Sequence, residues 1–196
     1  MRTVLLAIGV VLGASSAHAA TIASGQTEVG DTGGINLQGA GVAQTASNTS
    51  IASFGTAEAV WGSGGSFSTE VFEFDFDLTG FDLASVALSG LIAVDNTVSV
   101  ALNGTPFFSL PNVVTSNFTQ ANAYSTSDAS LFNQAGNTVV YTVADAGGPF
   151  GFRATVEVTG DPSGPAAIPL PASLPLVLAG VAALGLVRRR AGPASR

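Results

Sequence analysis

Lysine and cysteine are absent from this 196-residue chain, and histidine and methionine occur once each, as His18 and Met1. Without thiols there is no disulfide framework, no Cys-ligated metal and no Cys-His nucleophile. A single imidazole near the N-terminus cannot serve a Ser-His-Asp triad or a histidine-ligated metal, and lysine Schiff bases are excluded outright. The six cations are all arginines, at Arg2, Arg153, Arg188, Arg189, Arg190 and Arg196. All 13 carboxylates fall between Glu28 and Asp161, where Arg153 is the one cation, so this stretch carries a net charge of −12. Such a body cannot replace the counterions of nucleic acid, and nucleic acid is not expected as a partner.

What is present is concentrated first at the two ends. Arg2, the apolar run Val4 to Gly13 and the small residues Ala17 and Ala19 around His18 form a secretory signal peptide over residues 1–19, cut before Ala20 by signal peptidase after passage through the secretion machinery. The apolar run is too short to span about 30 Å of hydrocarbon. At the other end, 161–167 is a breaker-rich linker, and no residue from Ala166 to Val187 is charged before Arg188, Arg189 and Arg190. Pro169, Pro171 and Pro175 keep the front of this run out of a helix, whereas a helix can begin at Pro175. From there to Val187 it would reach roughly 20 Å, a short transmembrane helix helped by snorkelling arginines. The arginine stop places its C-terminal side in the cytoplasm and the acidic body outside, with residues 191–196 as a short tail.

Ile168-Pro169-Leu170-Pro171-Ala172-Ser173, the apolar stretch Leu174 to Val187 and the triple arginine resemble the PEP-CTERM sorting signals, specifically the VPLPA variant, with Ile168 where valine is usual. The resemblance covers 168–190. It implies a substrate of an exosortase-type membrane peptidase in a Gram-negative bacterium, recognised at Pro169, Leu170, Pro171 and Ala172. The expected course is an inner-membrane-tethered precursor with a periplasmic domain, delivered to the cell surface or extracellular matrix. An extended, proline-stiffened peptide just outside the bilayer can enter a protease cleft without first being unwound.

Between the addresses, residues 20–160 are expected to form an all-β, antiparallel β-sandwich ectodomain. In Glu70 to Leu78, Phe72, Phe74, Phe76 and Leu78 share one face while Glu73, Asp75 and Asp77 share the other, the period of a half-buried strand. Further strands are expected at Val86 to Val94, Thr97 to Leu102 with the Asn103-Gly104 hairpin turn into Phe107 to Leu110, Thr138 to Val143 and Phe152 to Val158. The segment Thr21 to Val60 is more polar, contributing edge strands such as Ile35 to Ala43 or staying loosely ordered. From Leu83 to Gly160, Leu88-Ser89-Gly90, Val94-Asp95-Asn96, Leu102-Asn103-Gly104, Gly136-Asn137-Thr138 and Gly151-Phe152-Arg153 also resemble the jelly-roll module of PEP-CTERM substrates, which is similar to galactose-binding-like folds.

With imidazole, thiolate and amine gone, acid-base chemistry would fall to carboxylates, and Glu70, Glu73, Asp75 and Asp77 are the densest group. Repeating like charges along one strand face read more simply as its wet side, so no catalytic residue and no required cofactor is expected. Asp75, Asp77 and Asp95 are the candidates for a structural calcium, with Asp82, Asn96 and Asp128 as further oxygen donors. Trp61 and Tyr124 are candidate glycan platforms beside the amides of Asn103 and Asn122. Arg153 is expected in a salt bridge. The leading reading is a non-enzymatic structural or adhesive protein of the cell surface or matrix, in contact with extracellular polysaccharide. The alternatives are a carboxylate-dependent carbohydrate-active enzyme and a calcium-dependent glycan-binding module.

Overall fold

The computed structural model describes residues 19–112 and 116–164. The chain divides into two units, Met1–Gly164 and Pro165–Arg196, and all the described residues belong to the first. Ala17 of the expected signal peptide, the expected sorting motif from Ile168 to Ala172, the expected transmembrane helix and Arg188 to Arg190 lie outside them. Among the described residues no helix is long and apolar enough to cross a membrane.

The regular secondary structure of the described chain is almost all β. Its strands are β1 (Ala20–Thr27), β2 (Gly34–Leu37), β3 (Gln44–Thr45), β4 (Val60–Trp61), β5 (Thr69–Phe76), β6 (Ala87–Asp95), β7 (Thr97–Leu102), β8 (Thr105–Leu110), β9 (Asn122–Thr126), β10 (Asn137–Ala144) and β11 (Gly151–Gly160). A four-residue helix α1 (Ser116–Thr119) and two 3₁₀ turns, capped by Asp82 and Asp128, complete the described chain.

Sheet A places β11 at its centre, with β6 and then β9 on one side and β1 and the short β4–β3 pair on the other. Sheet B runs β2-β5-β10-β7-β8. The chain repeatedly changes sheet between β5 and β11, a jelly-roll-like path. One strand joins the two layers: β2 pairs in parallel with β1 (Gln26↔Gly34, Thr27↔Ile35) and antiparallel with β5. All other strand pairs among the described residues are antiparallel, as expected.

The two-residue alternation decides what lies between the sheets. Phe72, Phe74, Phe76 and Leu78 are buried, and Asp75 and Asp77 on the opposite face are not. From sheet A, Phe152, Ala154, Val156 and Val158 point inward, and Phe72 meets Phe152 at 4.9 Å between ring centroids. Each such large side chain contributes about 1.5–3 kcal/mol on full burial. The hairpin between β7 and β8 turns at Asn103 (φ 51°) and Gly104 (φ 83°), the left-handed pair a two-residue turn requires. The polar N-terminal segment is ordered: β1 lies along β11 over most of its length, with a bulge between Thr21 and Ala23. Of the edge strand expected at Ile35 to Ala43, only Gly34–Leu37 forms, because Gly39 and Gly41 adopt positive φ just beyond it.

Candidate functional site

On its outer face, sheet A presents two transverse rows fixed by register. One is Ser125-Ser89-Glu157-Ser24, the other Ala123-Leu91-Thr155-Gln26, each crossing β9, β6, β11 and β1 in that order. Four strands spaced about 4.8 Å apart give a floor about 14 Å across. Most of the side chains are small, so the surface is recessed: these rows, with Glu28, Thr32 and Gly33 beside β1, line a groove of about 820 Å³.

Polar groups in the groove are held by one another. Thr21 donates from Oγ1 to Glu157 Oε1 (2.8 Å), which steadies a carboxylate in the middle of the floor. Gln26 donates from Nε2 to Glu28 Oε1 (2.6 Å), Thr32 donates from Oγ1 to Glu28 Oε2 (2.6 Å), and Thr56 donates to Gln26 Oε1 (2.8 Å). The Thr32 hydroxyl, with help from the Gln26 amide, holds Glu28 below the ordinary carboxylate range. Glu28 therefore stays ionised and acts as an acceptor. It is poorly suited to deliver a proton.

The aromatic platforms expected from the sequence are in the core. Trp61 is fully buried because β4 docks beside Phe152 of β11, with Phe150 at 5.6 Å and the indole N–H donating to Ser68 Oγ (3.0 Å). Tyr124 is 3% exposed, lies over Gly90 and donates its hydroxyl to Thr155 O. Neither ring offers a face to a ligand. The amides expected beside them are committed elsewhere: Asn103, in the β7–β8 turn, donates to Leu131 O and Asn137 Oδ1, and Asn122 donates to Ile92 O.

The calcium candidates are not brought together. Asp75 accepts from Thr138 Oγ1 and Asp77 from Thr79 N, both exposed on β5 or just after it. Hydrogen bonds from Thr79 hold Asp77 below its ordinary pKa. Asp95 is buried at the other end of the sandwich. Its neighbour Asn96 bonds Ala144 O, whereas Asp75 pairs with Thr138, and six residues of strand separate those two by about 20 Å. Asp82 and Asp128 cap the N-termini of the 3₁₀ turns. Among the described residues, no three of His, Cys, Asp and Glu form a metal-binding group.

Arg153, on the outer face of β11, has its guanidinium 6.0 Å from the centre of the Phe54 ring. Burial lowers its pKa, and Glu58 is the acidic neighbour that opposes this. Glu73, like Asp75, lies on the outer face of β5, and Glu70 accepts from Gly64 N (2.9 Å).

No protein-family model matches the sequence, and no curated protein matches it. Two solved structures are similar in chain path. One is a family 35 carbohydrate-binding module from an environmental isolate, 14% identical, covering 72% of this chain and 98% of its own, with a TM-score of 0.39. The other is CBM35 from Cellvibrio japonicus Abf62, 13% identical, covering 72% of this chain and 100% of its own, with a TM-score of 0.40. The two-sheet architecture follows from the strand pairing itself.

Proposed function

We propose that this chain is an exported, non-catalytic domain of the cell surface or extracellular matrix, whose sheet A groove holds a polysaccharide chain. The observation that carries the reading is the recessed floor crossing β9, β6, β11 and β1, in which a wholly polar row, Ser125-Ser89-Glu157-Ser24, lies beside a row where the apolar Ala123 and Leu91 adjoin Thr155 and Gln26. Sugars present hydroxyl groups that both donate and accept, above C–H faces that rest on apolar surface. Glu157, Glu28, Gln26, Ser89 and Ser125 supply the matching acceptors and donors.

The occupant is a neutral chain. The domain carries −12 between Glu28 and Asp161, and two of those carboxylates, Glu28 and Glu157, line the groove. A polyuronate would meet like charge along its length. Binding rather than hydrolysis is favoured because Glu28 is held in its ionised form by hydrogen bonds, whereas a glycosidase needs a carboxyl whose pKa is raised. The signal peptide and the exosortase-type signal supply the address, with the membrane peptidase as the processing partner and the membrane as a temporary anchor.

Affinity electrophoresis through gels containing xylan, a soluble β-glucan, galactomannan or alginate tests this. Retardation is expected in at least one neutral gel and not in alginate, with no shortening of the polysaccharide. Ser89→Trp, which fills the floor, should abolish retardation, while Ser99→Trp on the exposed face of β7 should not. No retardation in any gel, or equal retardation of Ser89→Trp and wild type, overturns the proposal.

A further inference from the structure

At the end of the sandwich away from Asp75, the end of β6 and the residue after β10 are tied together. Asn96 donates its backbone N–H to Ala144 O (3.1 Å), and its Oδ1 accepts from Ala146 N (2.6 Å). This brings Asp95 and Asp145 into one cluster, both buried, at 4% and 6% exposure. Asp95 accepts from the Asn48 amide at Oδ2 (2.7 Å) and from the Asn96 amide at Oδ1. Asp145 accepts at Oδ2 from the backbone N–H groups of Phe67 (2.8 Å) and Gly147 (3.0 Å). Its Oδ1 is equally buried, and no donor among the described residues reaches it.

Two carboxylates are thus enclosed together with one oxygen unmatched. Arg153, the one cation among the described residues, is associated instead with Phe54 and Glu58. Two like charges enclosed together without a positive partner repel one another. The amides cannot remove that repulsion because they bring no net charge.

We infer that Asp95 and Asp145 bind a calcium ion at the loop end of the sandwich, with Asp145 Oδ1 as a ligand. Calcium takes carboxylate, amide and carbonyl oxygens in irregular geometry, and this cluster contains those and no imidazole or thiolate. Magnesium demands a near-ideal octahedron and retains its water, which suits a buried loop cluster poorly. The ion would tie the β6–β7 turn to the loop after β10, and through Asn48 and Phe67 to two further loops. Two carboxylates correspond to weak binding of the extracellular kind, with Kd of about 10⁻⁴–10⁻³ M. The site is separate from the sheet A groove and stands whether or not that groove binds polysaccharide.

Thermal unfolding of the full-length chain, followed by Trp61 fluorescence at neutral pH, tests the site. Millimolar calcium should raise Tm by about 3–8 °C relative to EGTA. Asp145→Asn should lose that shift, and Asp75→Asn should keep it. Terbium provides a readout if Asp145→Asn does not fold. Trp61 Nε1 bonds Ser68, whose carbonyl accepts from Asp145 N, so indole excitation should sensitise bound terbium and calcium should quench the emission by competition. A wild-type Tm indifferent to calcium, an undiminished shift in Asp145→Asn, or the absence of sensitised terbium emission overturns the inference. A Tm that rises on acidification but not with calcium would identify a shared proton instead, and would overturn it equally.

Discussion

The hydroxyls of Tyr124, on β9 of sheet A, and Tyr141, on β10 of sheet B, meet 2.5 Å apart inside the core, with their rings edge to face at 6.0 Å between centroids. Tyr124 also donates to Thr155 O (2.9 Å). A hydroxyl has one proton, and a carbonyl can only accept, so Tyr141 must be the donor to Tyr124. The chain Tyr141 to Tyr124 to Thr155 links the two sheets by polar bonds within an apolar interior.

Because these are the only two tyrosines in the chain, alkaline titration reads the core directly. Burial raises both pKa values well above the ordinary phenol value near 10. The unfolded chain releases its phenolic protons first, so the stability linked to these groups is intact below pH of about 10 and is lost above it. The loss is about 1.4 kcal/mol per pH unit for each tyrosine. Tyrosinate absorbance should therefore appear in a single step, together with loss of the β-sheet circular dichroism. Ionisation near pH 10 in a chain that keeps its fold would contradict the burial.

The two hydroxyls should not be equivalent. Tyr141→Phe removes one donor and leaves Tyr124 bonded to Thr155, at a cost of about 1 kcal/mol. Tyr124→Phe strands both the Tyr141 hydroxyl and the Thr155 carbonyl in the core, which costs about 2–4 kcal/mol. Urea denaturation should rank Tyr124→Phe as the less stable variant, and the opposite order would reverse the assigned direction of the chain.

Gly90 gives this network its space. A Cβ built there lies 2.0 Å from Thr155 O and 2.6 Å from the Tyr124 ring and hydroxyl. The carbonyl belongs to the central strand and cannot retreat, so Gly90→Ala should destabilise by about 2–3 kcal/mol. Gly164→Ala, where nothing lies within 4 Å, is the control and should stay within about 0.5 kcal/mol. Equal midpoints for the two variants would contradict the close approach of β9 to β6.

Much of the frame was legible where side-chain chemistry and local geometry agree. Phe72, Phe74 and Phe76 alternate with Glu73 and Asp75, and Asn103-Gly104 marks a two-residue turn, so β5, β7 and β8 follow from short-range rules. β1 was not anticipated, because Ala20–Thr27 holds few large apolar residues and gains its order from lying against β11, more than 120 residues away. β9 carries a single large inward side chain, Tyr124, too little for a periodic signal. The fate of Trp61 likewise depends on the distant Phe152. The groove had no local signature either, since Ser24, Ser89, Ser125 and Glu157 are brought together by register alone. Asp145 stands in an Ala-Asp-Ala-Gly-Gly stretch that matches no metal-binding motif.

Asn103 separates two contributions at one position. Its φ of 51° is tolerated by asparagine and glycine, its amide donates to Leu131 O and Asn137 Oδ1, and its Oδ1 accepts from Thr138 N. Asn103→Gly should lose the hydrogen bonds while keeping an unstrained backbone. Asn103→Ala should lose both and be less stable than the glycine variant by about 1–2 kcal/mol. If the two variants unfold at the same denaturant concentration, the turn conformation contributes nothing beyond its side-chain bonds.

The boundaries of the described strands bear on where the chain can be cut without harm. β1 begins at Ala20, which pairs with Gly160, so cleavage after Ala19 leaves every β1 residue in place, whereas cleavage several residues later would remove pairing from the central strand. At the other end, β11 ends at Gly160 and Phe81 bridges Pro162, so the expected processing signal over 168–190 begins beyond the last strand contact among the described residues. Intact mass of protein recovered from native extracellular material should correspond to a chain that starts at Ala20 and lacks the arginine tail. Replacing Pro169 and Pro171 by alanine should instead leave a membrane-retained, unprocessed form. Released protein that still carries residues 188–190 would remove the sorting step from the proposal while leaving the sandwich and its groove untouched.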